Sequence, residues 1–284
     1  MSPLRVVDSH VHFWDPSVLH YPWLDELPGL KTSFLPRDYS ALASGEADAV
    51  VFVEGNCDPA QGMDEVSFAA RLSAEEPRIV GAVSFVNLID EGGRTATLER
   101  LQRSSPVVGV RHNIQGNPAG FATAAAFVRG VQEVGRHGLP FDVCVTADQL
   151  PEVTELVRQC PDVSFVLDHC GKPAIRDNAF EPWAGHLLQL SGCDNVVCKL
   201  SGLLTEADAR QSLGDVLVPY FDHALACFGP GRLLYGSDWP VVTLRGGESA
   251  WRTMVDRFTS AWSPDEQQAF YAGNAIRIYG LELP

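Results

Sequence analysis

The sequence predicts a single-domain (β/α)8 barrel over residues 1–284, and three observations predict it. Eight apolar runs of strand length recur along the chain, helical spacing follows them, and eight such units in about 250 residues is the size of a closed barrel. A doubly wound sheet would show the same alternation. No glycine-rich turn follows the first run, however, and no dinucleotide fingerprint occurs anywhere.

In order, the runs are 5–13 (RVVDSHVHF), 48–55 (DAVVFVEG), 79–88 (IVGAVSFVNL), 107–115 (VVGVRHNIQ), 140–147 (PFDVCVTA), 164–171 (SFVLDHCG), 195–202 (NVVCKLSG) and 232–240 (RLLYGSDWP). They are nearly continuous in Val, Ile, Leu and Phe, as strands buried on both faces of a parallel sheet are. A long first loop, 14–47, is rich in aromatics and prolines. Stretches with helical spacing then fall at 65–76, 95–104, 123–138, 149–160, 183–192 and 220–229, with one more at 248–262 after the last strand. Several stop at Gly or Pro, as in GRHGLP, RQCPD and CFGPGR, because Gly takes the left-handed cap and Pro cannot continue a helix.

Lys and Arg number 21 against 36 Asp and Glu, a net charge of −15 that is not concentrated in a tail or block. Nucleic acids and anionic membranes need clustered cations, so neither is expected as a partner. No run of eighteen apolar residues occurs, and MSPLRVVDSH lacks the charged and apolar regions of a secretory signal. A cytoplasmic protein is the default expectation. Seven cysteines, an odd number without a CxxC, lie mostly in apolar runs and read as reduced core residues. Oligomeric state is left open, and a homo-oligomer is compatible with the composition.

The chemistry-bearing residues sit at strand ends. His10 and His12 close the first run behind Asp8. Side chains two apart share a face of a strand, so at its carboxyl end both imidazoles face the barrel mouth. Alone, the pair reads equally well as two hydrogen-bonded strand-end histidines. His169 closes the sixth run and Asp238 the eighth. Three histidines and a carboxylate on one face suit one divalent metal such as zinc, with room for a water. Such a metal activates water and polarises a carbonyl, which are the two needs of ester hydrolysis. Asp238 would then be both ligand and proton acceptor, with the carbonyl oxygen polarised by the metal, by a histidine such as His169, or by Lys199.

Other strand ends are charged or aromatic. Glu54 is a further ligand, a hydrogen-bonding group for substrate, or an ordinary loop carboxylate. Arg111 and His112 end an apolar strand, where a guanidinium needs a partner, and substrate recognition is favoured over a structural ion pair. Lys199 points into the barrel if Cys198 points outward, reaching substrate or pairing with a carboxylate such as Glu54. Lys172 reads as a loop charge. Trp14, Tyr21, Trp23 and Trp239 either wall a pocket for a small polyol ring or anchor loops, and Trp14 and Trp239 adjoin expected ligands. His20, His137, His186 and His223 read as surface groups. No GxSxG occurs, and no cysteine has an activating motif.

In their order and spacing, VDSHVHFWDP with YPWL, GVRHNIQ, FVLDHCGKP, VVCKLSGLLTEAD, LLYGSDWPV and GNAIRIYGL resemble the metal-dependent hydrolases of the amidohydrolase superfamily. The resemblance covers essentially the whole chain and is strongest to the sugar lactonase group, the fuconolactonase- and rhamnonolactonase-like enzymes. It implies a (β/α)8 barrel, a metal site at His10, His12, His169 and Asp238, and hydrolysis of a sugar lactone with Asp238 as general base. Many superfamily members carry a further metal-binding histidine where this chain has Lys199 and Ser201, and a carboxylated lysine that has no counterpart here. The resemblance therefore implies one metal ion. Decarboxylation of an aromatic or unsaturated acid, or carbohydrate binding without catalysis, are the competing readings.

Overall fold

The computed structural model describes residues 4–208 and 210–284. Eight parallel strands form one sheet in sequence order: β1 (Val7–Val11), β2 (Ala49–Val53), β3 (Ile79–Phe85), β4 (Val107–Arg111), β5 (Phe141–Val143), β6 (Phe165–Leu167), β7 (Val196–Leu200) and β8 (Leu233–Tyr235). The sheet returns on itself just beyond β8, where the Asp238 N–H donates to His10 O at 2.9 Å and the His12 N–H to Trp239 O at 2.7 Å. A (β/α)8 barrel results, as the eight apolar runs predict. Each strand lies within its expected run but is shorter, because the last residues of each run leave the ladder to build the mouth.

Side-chain parity sorts the strands into two layers. Val50, Phe52, Val110, Phe141, Phe165, Cys198 and Leu233 belong to the large cluster packed against the helices. Val7, Ala49, Val51, Val53, Val83, Val166, Val197 and Leu234 form a second cluster, of small residues that fit the narrow interior. On β4, β5 and β7 the inward parity continues into Arg111, Asp142 and Lys199, all buried. The interior is thus apolar below and charged above.

The seven expected helices all form: α1 (Gly62–Glu75), α2 (Arg94–Gln102), α3 (Ala125–Arg136), α4 (Leu150–Gln159), α5 (Trp183–Ser191), α6 (Val218–Phe228) and α7 (Glu248–Thr259). The first loop holds short 3-10 turns and a five-residue helix, Ser40–Ser44. More consequential is the end of the chain, where Pro264–Gln268, a π-helical turn Ala269–Gly273, and α8 (Asn274–Tyr279) run in succession. That segment seats Ala272, Ala275, Tyr279 and Leu281 in the inner cluster, plugging the barrel opposite the mouth. Its periodicity is hard to read because the π turn shifts the helical phase.

All seven cysteines are free, and all but the half-buried Cys193 are buried. No helix among the described residues is long and apolar enough to cross a membrane. Phe270, fully buried in the terminal segment against Tyr235 and Trp262, tests the packing: Phe270→Ala is expected to destabilise by about 3–5 kcal/mol, read as a lower denaturant midpoint with an unchanged slope.

Candidate active site

Three imidazoles and one carboxylate meet at the mouth. Asp238 Oδ1 lies 3.8 Å from His10 Nε2, 3.6 Å from His12 Nε2 and 3.9 Å from His169 Nε2. The two Nε2 atoms of His10 and His12 are 3.2 Å apart. The far nitrogens are engaged elsewhere: His12 Nδ1 with Val53 O at 2.8 Å, and His169 Nδ1 with Ser201 Oγ at 2.8 Å. A carbonyl can only accept, so His12 Nδ1 carries the proton and its Nε2 turns a lone pair toward Asp238. Two acceptors facing one another is a donor set that a divalent cation satisfies. His10, His12 and Asp238 meet the spacing for such an ion, as do His10, Asp168 and His169.

Backbone strain accompanies these groups. His169 has φ 54° and Asp238 φ 62°, left-handed conformations unfavourable for residues with a Cβ. Around His169 the turn is held by Trp183, whose Nε1 donates to Cys170 O at 2.8 Å. Gly202, itself at φ +67°, lets the ring fit, since a Cβ there would stand 2.5 Å from His169 Nδ1. Asp8 ties β1 to the β8 turn by accepting from the Ser237 N–H at 2.8 Å, the His10 N–H at 3.2 Å, and the Tyr39 hydroxyl.

Behind the imidazoles lies a dry ion network. Arg111 donates from Nε to Glu54 Oε1 at 2.6 Å, from Nη2 to Glu54 O at 2.6 Å, and from Nη1 to Asp168 Oδ2 at 3.2 Å. Lys199 Nζ is 2.6 Å from Asp142 Oδ2 and 3.0 Å from Asp168 Oδ1. Both cations form the ion pairs that were one of their two expected readings. Arg111, favoured for substrate recognition, spends its guanidinium on Glu54 and Asp168. Lys199 takes Asp142 and Asp168 as partners and leaves Glu54 to Arg111, because β6 adjoins β7 and β5 is two strands away, while β2 is three strands away around the closed barrel. Burial favours the protonated form of Asp168, but Lys199 and His10 outweigh it and hold this carboxyl well below its ordinary range. Within the network, the three carboxylates of Glu54, Asp142 and Asp168 oppose the two cations Arg111 and Lys199.

Trp14 and Trp239 are buried, at 0% and 3% exposure. Trp14 Nε1 donates to Thr32 O at 2.9 Å, and Trp239 packs on Phe13, Phe34 and Tyr39. Of their two expected roles, these contacts are those of loop anchors. His112, half-buried among Phe85, Phe121 and Phe127, accepts the Leu88 N–H on Nδ1 at 3.1 Å. Burial lowers its pKa to about 4, so the ring is neutral with Nε2 as a donor. Lys172 Nζ donates to Gln115 Oε1 at 2.6 Å. Of the four histidines expected at the surface, only His20 is exposed, and His223 packs on Trp183. Sequence reasoning passed over Asp142, Asp168, Ser201 and Tyr279. A carboxylate inside an apolar strand run, as in FDVCV and VLDHC, was the available signal for the first two, since such a group is buried only with partners.

Fold and constellation define a class: a (β/α)8 barrel whose carboxyl mouth holds a candidate site for a divalent metal. Residues 7–281 match the amidohydrolase family model, and the chain belongs to that family. It is 35% identical to an L-fucono-1,5-lactonase of Burkholderia multivorans, over 100% of this chain and 98% of the relative. An L-rhamnono-gamma-lactonase of Scheffersomyces stipitis is 22% identical, over 99% and 100%. A crystal structure of an amidohydrolase from Burkholderia multivorans with bound zinc superposes with a TM-score of 0.87 at 33% identity, covering 98% of this chain and all of that one.

Two outcomes test this geometry. Gly202→Ala, by pushing the His169 ring aside, is expected to weaken divalent-metal binding roughly 10- to 100-fold in a chelator competition, with the circular dichroism spectrum unchanged. Glu65, buried beside Glu54, Cys57 and Tyr21, has its pKa raised from 4.5 to about 8, by burial first and Glu54 second. A raised carboxyl stabilises the fold fully only below its unfolded value and progressively less as pH climbs to about 8. Glu65→Gln is therefore expected to raise the melting temperature more at pH 8 than at pH 5.

Proposed function

We propose that this chain hydrolyses a sugar-derived lactone, L-fucono-1,5-lactone or a close stereochemical relative, to the open aldonate. The observation that carries the reading is the convergence of His10, His12, His169 and Asp238 at the mouth. The lactonases among its relatives support the substrate class.

These four residues would hold one divalent ion, zinc by the chemistry of the donors, which when bound supplies Lewis acidity toward a carbonyl and a lowered pKa for water. Burial alone would raise the Asp238 pKa, but the His169 ring outweighs it and holds this carboxyl below its ordinary range. As an anion it accepts a proton from the water that attacks the lactone carbonyl carbon. When the ring C–O bond breaks, Asp238 returns that proton to the departing oxygen. One water is added, and the base is regenerated.

His112 Nε2 serves as a donor to a substrate hydroxyl. Glu54, Arg111 and Lys199 act from behind the site, holding Asp168 and, through it, His10. Trp14 and Trp239 act by fixing the loop that adjoins His12.

The test is a panel of aldonolactones in weak buffer, read by acid release. The expected result is rapid opening of L-fucono-1,5-lactone, abolished by chelation, with a loss of roughly 10²- to 10⁴-fold in Asp238→Asn. No opening above the spontaneous rate for any lactone would overturn the reading.

A further inference from the structure

His10 Nδ1 is contested. Asp168 Oδ1, which can only accept, lies 3.2 Å from it, and Lys199 Nζ, which can only donate, also lies 3.2 Å from it. The outcome decides what His10 offers the site. If Asp168 takes the Nδ1 proton, His10 turns an Nε2 lone pair to the mouth. If Lys199 donates instead, the ring proton moves to Nε2 and His10 cannot ligate.

What competes with His10 for the ammonium is Asp142, 2.6 Å from Lys199 Nζ. Asp142 is in turn fixed from below. The Tyr279 hydroxyl, on the plug helix α8, stands 2.9 Å from Asp142 Oδ1 and 2.8 Å from Oδ2. Asp142 and Lys199 are fully buried and Tyr279 is 4% exposed, so no solvent competes for these contacts. We infer that Tyr279 is a positioning residue: it anchors Asp142, Asp142 holds Lys199, and the ammonium so placed leaves His10 Nδ1 to Asp168. The inference rests on the reading that His10 holds a metal.

Tyr279→Phe tests it. The ring that faces the Lys199 ammonium at 5.6 Å is kept and only the hydroxyl is lost. Tyr271→Phe is the control, since Tyr271 sits in the same terminal segment but bonds Asp256 and Thr259, away from the site. Two readouts apply: competition for Zn2+ against a chromophoric chelator, and two-bond 15N–1H correlation spectra of the histidine rings in metal-free protein. The expected result is a Zn2+ affinity roughly tenfold lower in Tyr279→Phe, with His10 shifting toward the Nε2–H tautomer and Tyr271→Phe matching wild type. A folded Tyr279→Phe with wild-type affinity and tautomer overturns the inference, as does an equal loss in Tyr271→Phe. Wild-type protein that takes up no Zn2+ overturns the proposed function instead, and the tautomer spectra still judge Tyr279.

Discussion

One carboxylate, Asp168, organises the upper half of the barrel. It sits at zero exposure between the Arg111 guanidinium and the Lys199 ammonium, within 3.2 Å of His10. Charges in a dry interior are costly, and losing one partner of such a pair costs about 3–5 kcal/mol because the other is left uncompensated. The barrel therefore holds these groups as a set: Glu54 from the end of β2, Arg111 from β4, Asp142 from β5, Asp168 from the end of β6 and Lys199 from β7. An apolar filling would serve stability as well. The charged one gives the imidazoles a fixed background against which their lone pairs are aimed.

The strain at the mouth follows from the same constraint. His169 and Asp238 take left-handed backbone in the turns that follow β6 and β8. The turns that re-aim them persist because neighbours over-determine them: Trp183 under the His169 turn, Gly202 beside its ring, and Asp8 tying the β8 turn to β1. The aromatic cluster of Trp14, Trp23, Phe34 and Trp239 secures the long first loop across the adjoining edge. Trp14 and Trp239 act as packing, which is why their exposure is so low.

The chain's end has a matching role at the opposite pole. Parallel strands leave the amino end of a barrel open to water, and here Ala272, Ala275, Tyr279 and Leu281 close it over the small inner residues. Tyr279 alone among them carries a polar atom upward, to Asp142. The ion network thus touches the plug below and the imidazoles above.

The strand runs, the helices and the four residues at the mouth were legible in the sequence, because strand burial and strand-end position are local properties. His10 and His12 lie two apart on one strand, and His169 and Asp238 each end an apolar run, so their common face follows from the barrel alone. The pairings of Arg111 and Lys199 were not legible. Their partners lie 57 residues away or on neighbouring strands, and only closure of the sheet decides which inward charges come within reach. The role of the tryptophans stayed open for a related reason: a loop sequence does not state which side of the loop meets protein and which meets the mouth. Tyr279 escaped notice because a π turn broke its helical period. Composition and periodicity by themselves determined the barrel and the face on which its chemistry lies; tertiary structure alone decided which charges neutralise one another, since Coulomb partners in a dry interior are set by distance through space and not along the chain.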